Sequence, residues 1–187
     1  MRRSLIILLG VVMLMGLPSA GLAKQPIPDV KVLIPKAIDL VTEAYPGALW
    51  LQANGLPAEG ELATSAEAIV EWQFIFSTPE TPGPINIIHR AEIQFGPPPD
   101  GFGPVKGLPG FFTGAIAMPK APSMTLKHAV KLLQRAGHTG AFDGVVLMHP
   151  LIAEPVNPRY LFQFTGPLGG KHHIAVDCLT KAVIRID

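Results

Sequence analysis

Two stretches of alternating aromatic residues limit the folds open to this chain more than any other feature. In each stretch an aromatic residue occupies every second position: Trp72, Phe74 and Phe76 in the first, and Tyr160, Phe162 and Phe164 in the second. Successive side chains of a β-strand point to opposite faces of its sheet, so this pattern predicts two strands that each bury an aromatic face. Pro79 and Pro167 follow the two stretches at the same spacing and are predicted to end them.

A helical pattern precedes each aromatic stretch. Apolar residues recur at spacings that place them on one helix face: Ile34, Ala37, Ile38, Leu40, Val41 and Ala44 in the first pattern, and Leu126, Ala129, Val130, Leu132, Leu133 and Ala136 in the second. Thr125 is predicted to cap the second helix and Gly137 to end it. In the first helix, Pro35 is expected within the opening turn, and Pro46-Gly47 is expected to end the helix.

The two halves of the chain therefore follow the same order of elements. We predict an α+β fold of two tandem repeats, each with one helix packed on the aromatic face of its own three- to four-stranded antiparallel sheet. The halves span residues 24–95 and 123–187. Further strands are predicted at Ala48–Gln52, Ile85–Phe95, Val145–His149, His172–Cys178 and Lys181–Ile186.

The region between the halves, residues 96–122, is predicted to be a linker. It contains seven prolines and six glycines, which argues against a long helix or a central strand. Gly96–Gly110 is expected to be a loop, whereas the apolar piece at residues 111–118 is a candidate short strand.

The amino-terminal segment resembles a cleavable secretory signal. Arg2 and Arg3 precede an apolar run from Leu5 to Leu17, and small residues follow up to Ala23. The run is shorter than the roughly 20 residues that a membrane-spanning helix needs. We therefore expect residues 1–23 to be a signal peptide cleaved between Ala23 and Lys24, and a mature protein that is secreted or periplasmic, with no membrane span.

The net charge and the cysteine content argue against nucleic acid as a partner and against an internal disulfide. Removing Arg2 and Arg3 with the signal lowers the formal net charge from +1 to −1, so no basic surplus remains for nucleic acid. The sequence contains one cysteine, Cys178, which cannot form an internal disulfide. Its position in a predicted strand favours a small buried apolar side chain.

Motifs for catalysis, metals and cofactors are missing from the sequence. No serine lies in a G-x-S-x-G turn, and the glycines near Gly101 lie among prolines rather than between a strand and a helix. His172 and His173 are adjacent in a predicted strand, so their side chains should point to opposite faces. His172 and Cys178 share a face but should lie about 20 Å apart, too far for one zinc ion. We expect no cofactor.

Two groups of polar residues remain as weak candidates for binding. Arg90, Glu92 and Gln94 alternate along one strand face, which is typical of a solvated sheet surface and could also serve recognition. His89 alternates with apolar residues and is expected on the other face, as a core or edge residue. The second group, with no known ligand spacing, flanks the second helix and the strand after it: His128, His138 and His149.

Three segments of the second half resemble the PepSY and PepSY-like domains, which share the fold of the beta-lactamase inhibitor protein. The segments are Met124–Val130 (MTLKHAV), Arg159–Phe164 (RYLFQF) and Ile174–Val183 (IAVDCLTKAV). The last is similar to the closing hairpin V-D-x-x-T-G-K-V of that family, although Lys181 stands where its glycine is expected. The resemblance implies an exported or membrane-tethered module that restrains peptidases or binds envelope proteins and has no shared catalytic residues.

These observations favour a non-catalytic exported module that binds an envelope protein or peptide, as an inhibitor or regulator of a peptidase for example. Two alternatives stay open at this point. One is a metal-dependent or other enzyme that uses the histidines of the second half, and the other is a structural subunit of an envelope complex. The sequence does not indicate an oligomeric state.

Overall fold

The computed structural model describes residues 27–83, 86–96, 101–110, 114–151, 157–166 and 169–186. The expected signal peptide with its cleavage site at Ala23 and Lys24, residues 111–113 of the candidate short strand, and Pro167 lie outside the described residues.

The described chain forms two helices and nine strands. The helices are α1 (Val30–Ala44) and α2 (Leu126–Arg135). The strands are β1 (Leu49–Pro57), β2 (Ile69–Gly83), β3 (Asn86–Gly96), β4 (Gly101–Phe102), β5 (Lys106–Leu108), β6 (Gly144–Met148), β7 (Arg159–Thr165), β8 (Lys171–Asp177) and β9 (Val183–Ile186). A short 3-10 turn at Ala66–Ala68 precedes β2.

All nine strands belong to one antiparallel sheet, whereas a separate sheet was expected for each half. The strand order is β4-β3-β2-β1-β6-β7-β8-β9, and β5 also pairs with β3. The strands of the two halves meet at the centre, where β1 pairs antiparallel with β6 from Gln52 opposite Met148 to Gly55 opposite Val145. The fold is thus a mixed α/β structure whose two halves share a single sheet.

Close packing at this central seam, and between β1 and β2 beside it, requires glycine. A Cβ atom added to Gly55 would lie 2.7 Å from Cη2 of Trp72, which is buried in the core. A Cβ on Gly144 would lie 3.1 Å from the carbonyl oxygen of Gly55. The absence of both side chains lets β1, β2 and β6 come together.

The first half and the linker each depart from the sequence-based expectation. Strand β2 does not end at Pro79 but continues to Gly83 after a register shift between Ser77 and Thr81, where the pairing with β3 is irregular. Pro79 lies within this irregular stretch, and a strand tolerates proline there because the missing N–H is not needed for regular pairing. The proline-rich linker also contains β4 and β5, which pair with β3 at the sheet edge, where short interrupted strands are compatible with proline.

The helices begin and end at identifiable capping residues. Thr125 Oγ1 accepts a hydrogen bond from the backbone N–H of His128, 3.2 Å away, and Gly137 follows α2 with φ +92°, as predicted. Helix α1 begins earlier than expected, because Asp29 caps it, and so Pro35 lies beyond the opening turn. The other carboxylate oxygen of Asp29 accepts from the backbone N–H of Leu126 at 3.0 Å, so one side chain joins the starts of both helices.

The predicted aromatic faces are both buried, on the same side of the one sheet. Phe74 lies opposite Ala53, which lies opposite Leu147, and Leu147 lies opposite Tyr160, so their side chains point the same way. All six aromatic residues of the two stretches are buried and belong to one hydrophobic cluster with the inner faces of α1 and α2. The Tyr160 hydroxyl donates to the carbonyl oxygen of Met124 at 3.1 Å.

Candidate binding surface

The sheet face opposite the helices differs in chemistry between the two halves. One row of side chains crosses this face, each member lying opposite the next on successive strands: Gln94, Gln73, Asn54, Val146, Leu161, Ala175 and Ile184. The row is polar on β3, β2 and β1 and becomes apolar on β6, β7, β8 and β9. We call this face of the sheet the open face, since no described helix packs on it.

The polar half of the open face is a chain of side-chain hydrogen bonds. Gln52 Nε2 donates to Asn54 Oδ1 at 2.8 Å, and Asn54 Nδ2 donates to Gln73 Oε1 at 3.0 Å. Gln73 Nε2 in turn donates to Glu92 Oε2 at 2.8 Å. The other oxygen of Glu92 lies 3.3 Å from Arg90 Nε. The ladder spans three strands and fixes the orientation of every amide in it.

Two of the sequence candidates belong to this ladder and the third lies beside it. The Arg90 and Glu92 side chains are partly shielded, with 30% and 16% of their surface exposed. Gln94 is exposed and lies opposite Gln73. A depression of about 30 Å³ near Glu92 and Gln94 is large enough for about one water molecule, so these residues line a surface rather than a ligand cavity.

The amide members of the ladder, Gln52, Asn54 and Gln73, are not among the candidates predicted from the sequence. The signal was available, because Gln52 and Asn54 alternate along one strand and Gln73 separates two buried aromatic residues. Only the pairing of β1 with β2, which joins residues far apart in the chain, brings these amides into contact.

The apolar half of the open face is a row of aliphatic side chains. Val146, Leu161 and Ile184 are half-buried, and Ala175 between them is fully buried. At the neighbouring positions of this face β7 and β8 carry polar residues, with Gln163 opposite His173 on one side of the row and Arg159 opposite Asp177 on the other, so the apolar row is a narrow stripe. An antiparallel sheet with one face in water normally carries polar residues there. The row interrupts this pattern at one position of each strand, and the exposed parts of Val146, Leu161 and Ile184 offer apolar contact area to another molecule.

A buried ion pair borders the apolar row. Arg159 Nε lies 3.7 Å from Asp177 Oδ2, and both side chains are almost wholly buried. Burial raises the pKa of the Asp177 carboxyl, but hydrogen bonds from Thr180, Asn157 and Leu179 outweigh burial and hold the pKa below its ordinary value. The stabilisation from this carboxylate is therefore present at neutral pH and is lost as the pH falls through the lowered pKa.

Cys178 follows this ion pair and is buried and free, as the sequence predicted. Burial, followed by the neighbouring charge of Asp177, raises the pKa of its thiol to about 12. The thiol therefore stays protonated at neutral pH and is a poor nucleophile in the folded protein.

The structure does not bring the three candidate histidines of the second half together. His128 lies in the first turn of α2 and His138 beyond its end, so the helix separates them by about 15 Å. His149 lies after β6, where its carbonyl oxygen accepts a hydrogen bond from Ile116. Within the described parts of the chain, no group of three or more His, Cys, Asp or Glu side chains could hold a metal ion.

The other three histidines lie on strands, His172 and His173 on β8 and His89 on β3. The ring of His172 stacks on Phe164, with a centroid distance of 5.3 Å and an interplanar angle of 14°. His173 lies opposite Gln163 and Ile186 on the neighbouring strands. His89 is half-buried on β3. The side chains of His172 and His173 thus belong to opposite faces of the sheet.

Comparisons of the chain with protein-family models, with curated proteins and with solved structures find no match. In the ranges that the structure describes, neither helix has the length and apolar character needed to cross a membrane.

Proposed function

We propose that this protein is an exported, non-catalytic binding module whose open face engages an envelope protein or peptide. The observation that carries the proposal is the apolar row on that face, next to a hydrogen-bonded ladder of amides. Burying the exposed parts of Val146, Leu161 and Ile184 would stabilise a complex by about 1 kcal/mol for each side chain. The ladder adjoining them offers oriented donors and acceptors, which give a contact its specificity.

Three features favour a binding module over an enzyme. The cleft at the starts of α1 and α2, which Asp29, Trp72 and Leu126 help to line, encloses about 150 Å³, less than the 300–1,000 Å³ typical of ligand sites. The larger depression on the outer side of α2, of about 360 Å³, has a charged and polar lining rather than the mostly apolar lining of such sites. The described histidines do not converge, and the Cys178 thiol is buried and protonated. The sheet edge at β9 adds a second way to hold a peptide, as a further strand.

The proposal includes a tandem origin and a PepSY-like character for the two halves. The order of elements supports it, because each half places a helix before its strands. The first strand after each helix, β1 in one half and β6 in the other, pairs with its counterpart at the centre of the sheet. A module of this kind, once exported, would act as an inhibitor or regulator of a peptidase or of another envelope protein.

Capture from an envelope extract of the source organism tests the open face. The immobilised mature chain, residues 24–187, is compared with Leu161→Glu, which places a charge in the middle of the apolar row. The matched control is Val32→Glu, which changes an α1 side chain that is 66% exposed on the other side of the molecule. We expect the control to retain the captured protein and Leu161→Glu to lose it.

A correct fold must be shown for each variant by circular dichroism and by protection of the Cys178 thiol. If Leu161→Glu does not fold, Ile184→Glu on the edge strand β9 replaces it. Equal capture by the open-face variant and the control, or capture of nothing by the unaltered protein, would contradict the proposal.

A further inference from the structure

Helix α2 presents a basic stripe on its outer side. Lys127, Lys131 and Arg135 follow one another at intervals of four residues, which places them along one line of the helix surface. All three are exposed, while the opposite side of the helix is buried in the core. With Thr125 and His128 they line a depression of about 360 Å³.

The charge of this stripe does not follow from the composition of the chain. The formal net charge of the whole sequence is only +1. The sequence nevertheless has no acidic residue between Asp100 and Asp143, and this span includes the whole of α2. Positive charge is therefore concentrated on one helix of a nearly neutral protein.

Partial neutralisation within the protein leaves most of the stripe positive. Lys127 Nζ lies 3.0 Å from Glu67 Oε1, in a pair that is exposed on both sides. Among the described residues, neither Lys131 nor Arg135 forms an ion pair with a carboxylate. Lys31 adds a further positive charge near the start of α2, where its Nζ donates to the carbonyl oxygen of Ser123 at 3.2 Å.

Like charges four residues apart destabilise a helix. Lys127 with Lys131, and Lys131 with Arg135, make two such pairs on a helix of ten residues. Within the fold, Lys127 is offset by Glu67, and Arg135 in the last turn interacts favourably with the helix dipole. Lys131, between the two, has no such compensation, and an anionic ligand would relieve the repulsion along the stripe.

We propose that the basic stripe binds a carboxylate-rich segment of a partner protein. The depression favours an extended acidic chain, which can follow its length, over a flat lipid surface. The apolar side of α2 is buried in the core, so the helix cannot insert into a bilayer. This surface lies on the helix side of the sheet, away from the open face, so the protein has a second contact region that does not depend on the first.

Fluorescence anisotropy with a labelled octapeptide of glutamate tests the proposal, with an octapeptide of lysine as the opposite-charge probe. The variant Lys127→Gln/Lys131→Gln/Arg135→Gln removes the stripe. The matched control, Lys36→Gln/Lys106→Gln/Lys171→Gln, removes three exposed positive charges elsewhere on the surface. At low ionic strength we expect the stripe variant to bind the glutamate peptide about tenfold more weakly than the unaltered protein, and the control to bind it equally well.

Equal weakening by the two triple variants would show a response to net charge alone and would overturn the proposal. Sedimentation with phosphatidylglycerol vesicles separates a lipid surface from a protein segment, and stripe-dependent binding to vesicles without binding to the peptide would also overturn it. Because the open-face variant Leu161→Glu leaves the stripe intact, failure here and failure of the proposed function are distinguishable.

Discussion

At the scale of single residues, Lys181 has a backbone conformation that residues other than glycine rarely adopt. It is the described non-glycine residue with a positive φ, +64°, and it closes the turn between β8 and β9. The backbone N–H of Lys181 donates to Asp177, and the carboxylate of Asp177 accepts from the N–H groups of Leu179 and Thr180. These hydrogen bonds fix the turn in a form that favours glycine at position 181.

Replacing Lys181 with glycine should therefore stabilise the protein. The left-handed conformation costs an L-residue about 1 kcal/mol, which glycine avoids. Urea unfolding of Lys181→Gly should show a free energy of unfolding higher by up to about 1 kcal/mol. Lys171→Gly, at an exposed position within strand β8, is the control and should lower stability. A loss of stability in Lys181→Gly would show that the side chain contributes more than the backbone strain removes.

At the scale of elements, local periodicity was sufficient to predict both helices and the strands that carry the aromatic residues. Thr125 and Gly137 act as predicted because a cap depends on a few consecutive residues. The apolar repeat alone placed the start of α1 too late, because Asp29 caps the helix ahead of that repeat. The ladder through Asn54 and Gln73 was missed for a different reason: contacts between strands depend on register, which a single strand does not encode.

Asp29 provides a test of how the two helices are coupled. Its Oδ1 accepts from the N–H of Lys31 in α1, and its Oδ2 accepts from the N–H of Leu126 in α2, both at 3.0 Å. Asp29→Asn keeps one acceptor oxygen and should cost about 1 kcal/mol, whereas Asp29→Ala removes both and should cost about 2 kcal/mol.

Urea unfolding measures both losses. Thr125→Ala is the matched control, because it removes the cap of α2 alone and should cost about 1 kcal/mol. An Asp29→Asn variant as stable as the unaltered protein would show that one of the two bonds, to Lys31 or to Leu126, contributes nothing to stability.

At the scale of the whole molecule, the two similar halves share one sheet and one hydrophobic core. The sequence indicated two similar halves but could not show how they meet, because the glycines that allow β1 and β6 to approach, Gly55 and Gly144, do not themselves identify the partner strand. The same arrangement places the amide ladder and the apolar row side by side on one open face. Neither half alone has that combination, so the proposed binding surface is a property of the joined sheet.

Joining through one sheet predicts that the two halves unfold together. Trp50 and Trp72, the two tryptophans of the chain, are buried in the first half, and Cys178 is buried in the second. Tryptophan fluorescence and reaction of the Cys178 thiol therefore report on different halves of the same protein. Because the halves share one core, we expect both probes to give the same midpoint in urea.

Gly55→Ala tests whether a disturbance of the first half reaches the second through the seam, since the added Cβ on β1 would meet the buried ring of Trp72 on β2 at 2.7 Å. We expect a loss of about 1–3 kcal/mol from overpacking, with both midpoints lowered by the same amount. Gly170→Ala is the matched control, because no heavy atom lies within 4 Å of its added Cβ. Its midpoints should stay close to those of the unaltered protein. If Gly55→Ala lowered the fluorescence midpoint and left the Cys178 midpoint unchanged, the halves would be independent folding units, and the seam would be a contact between two domains.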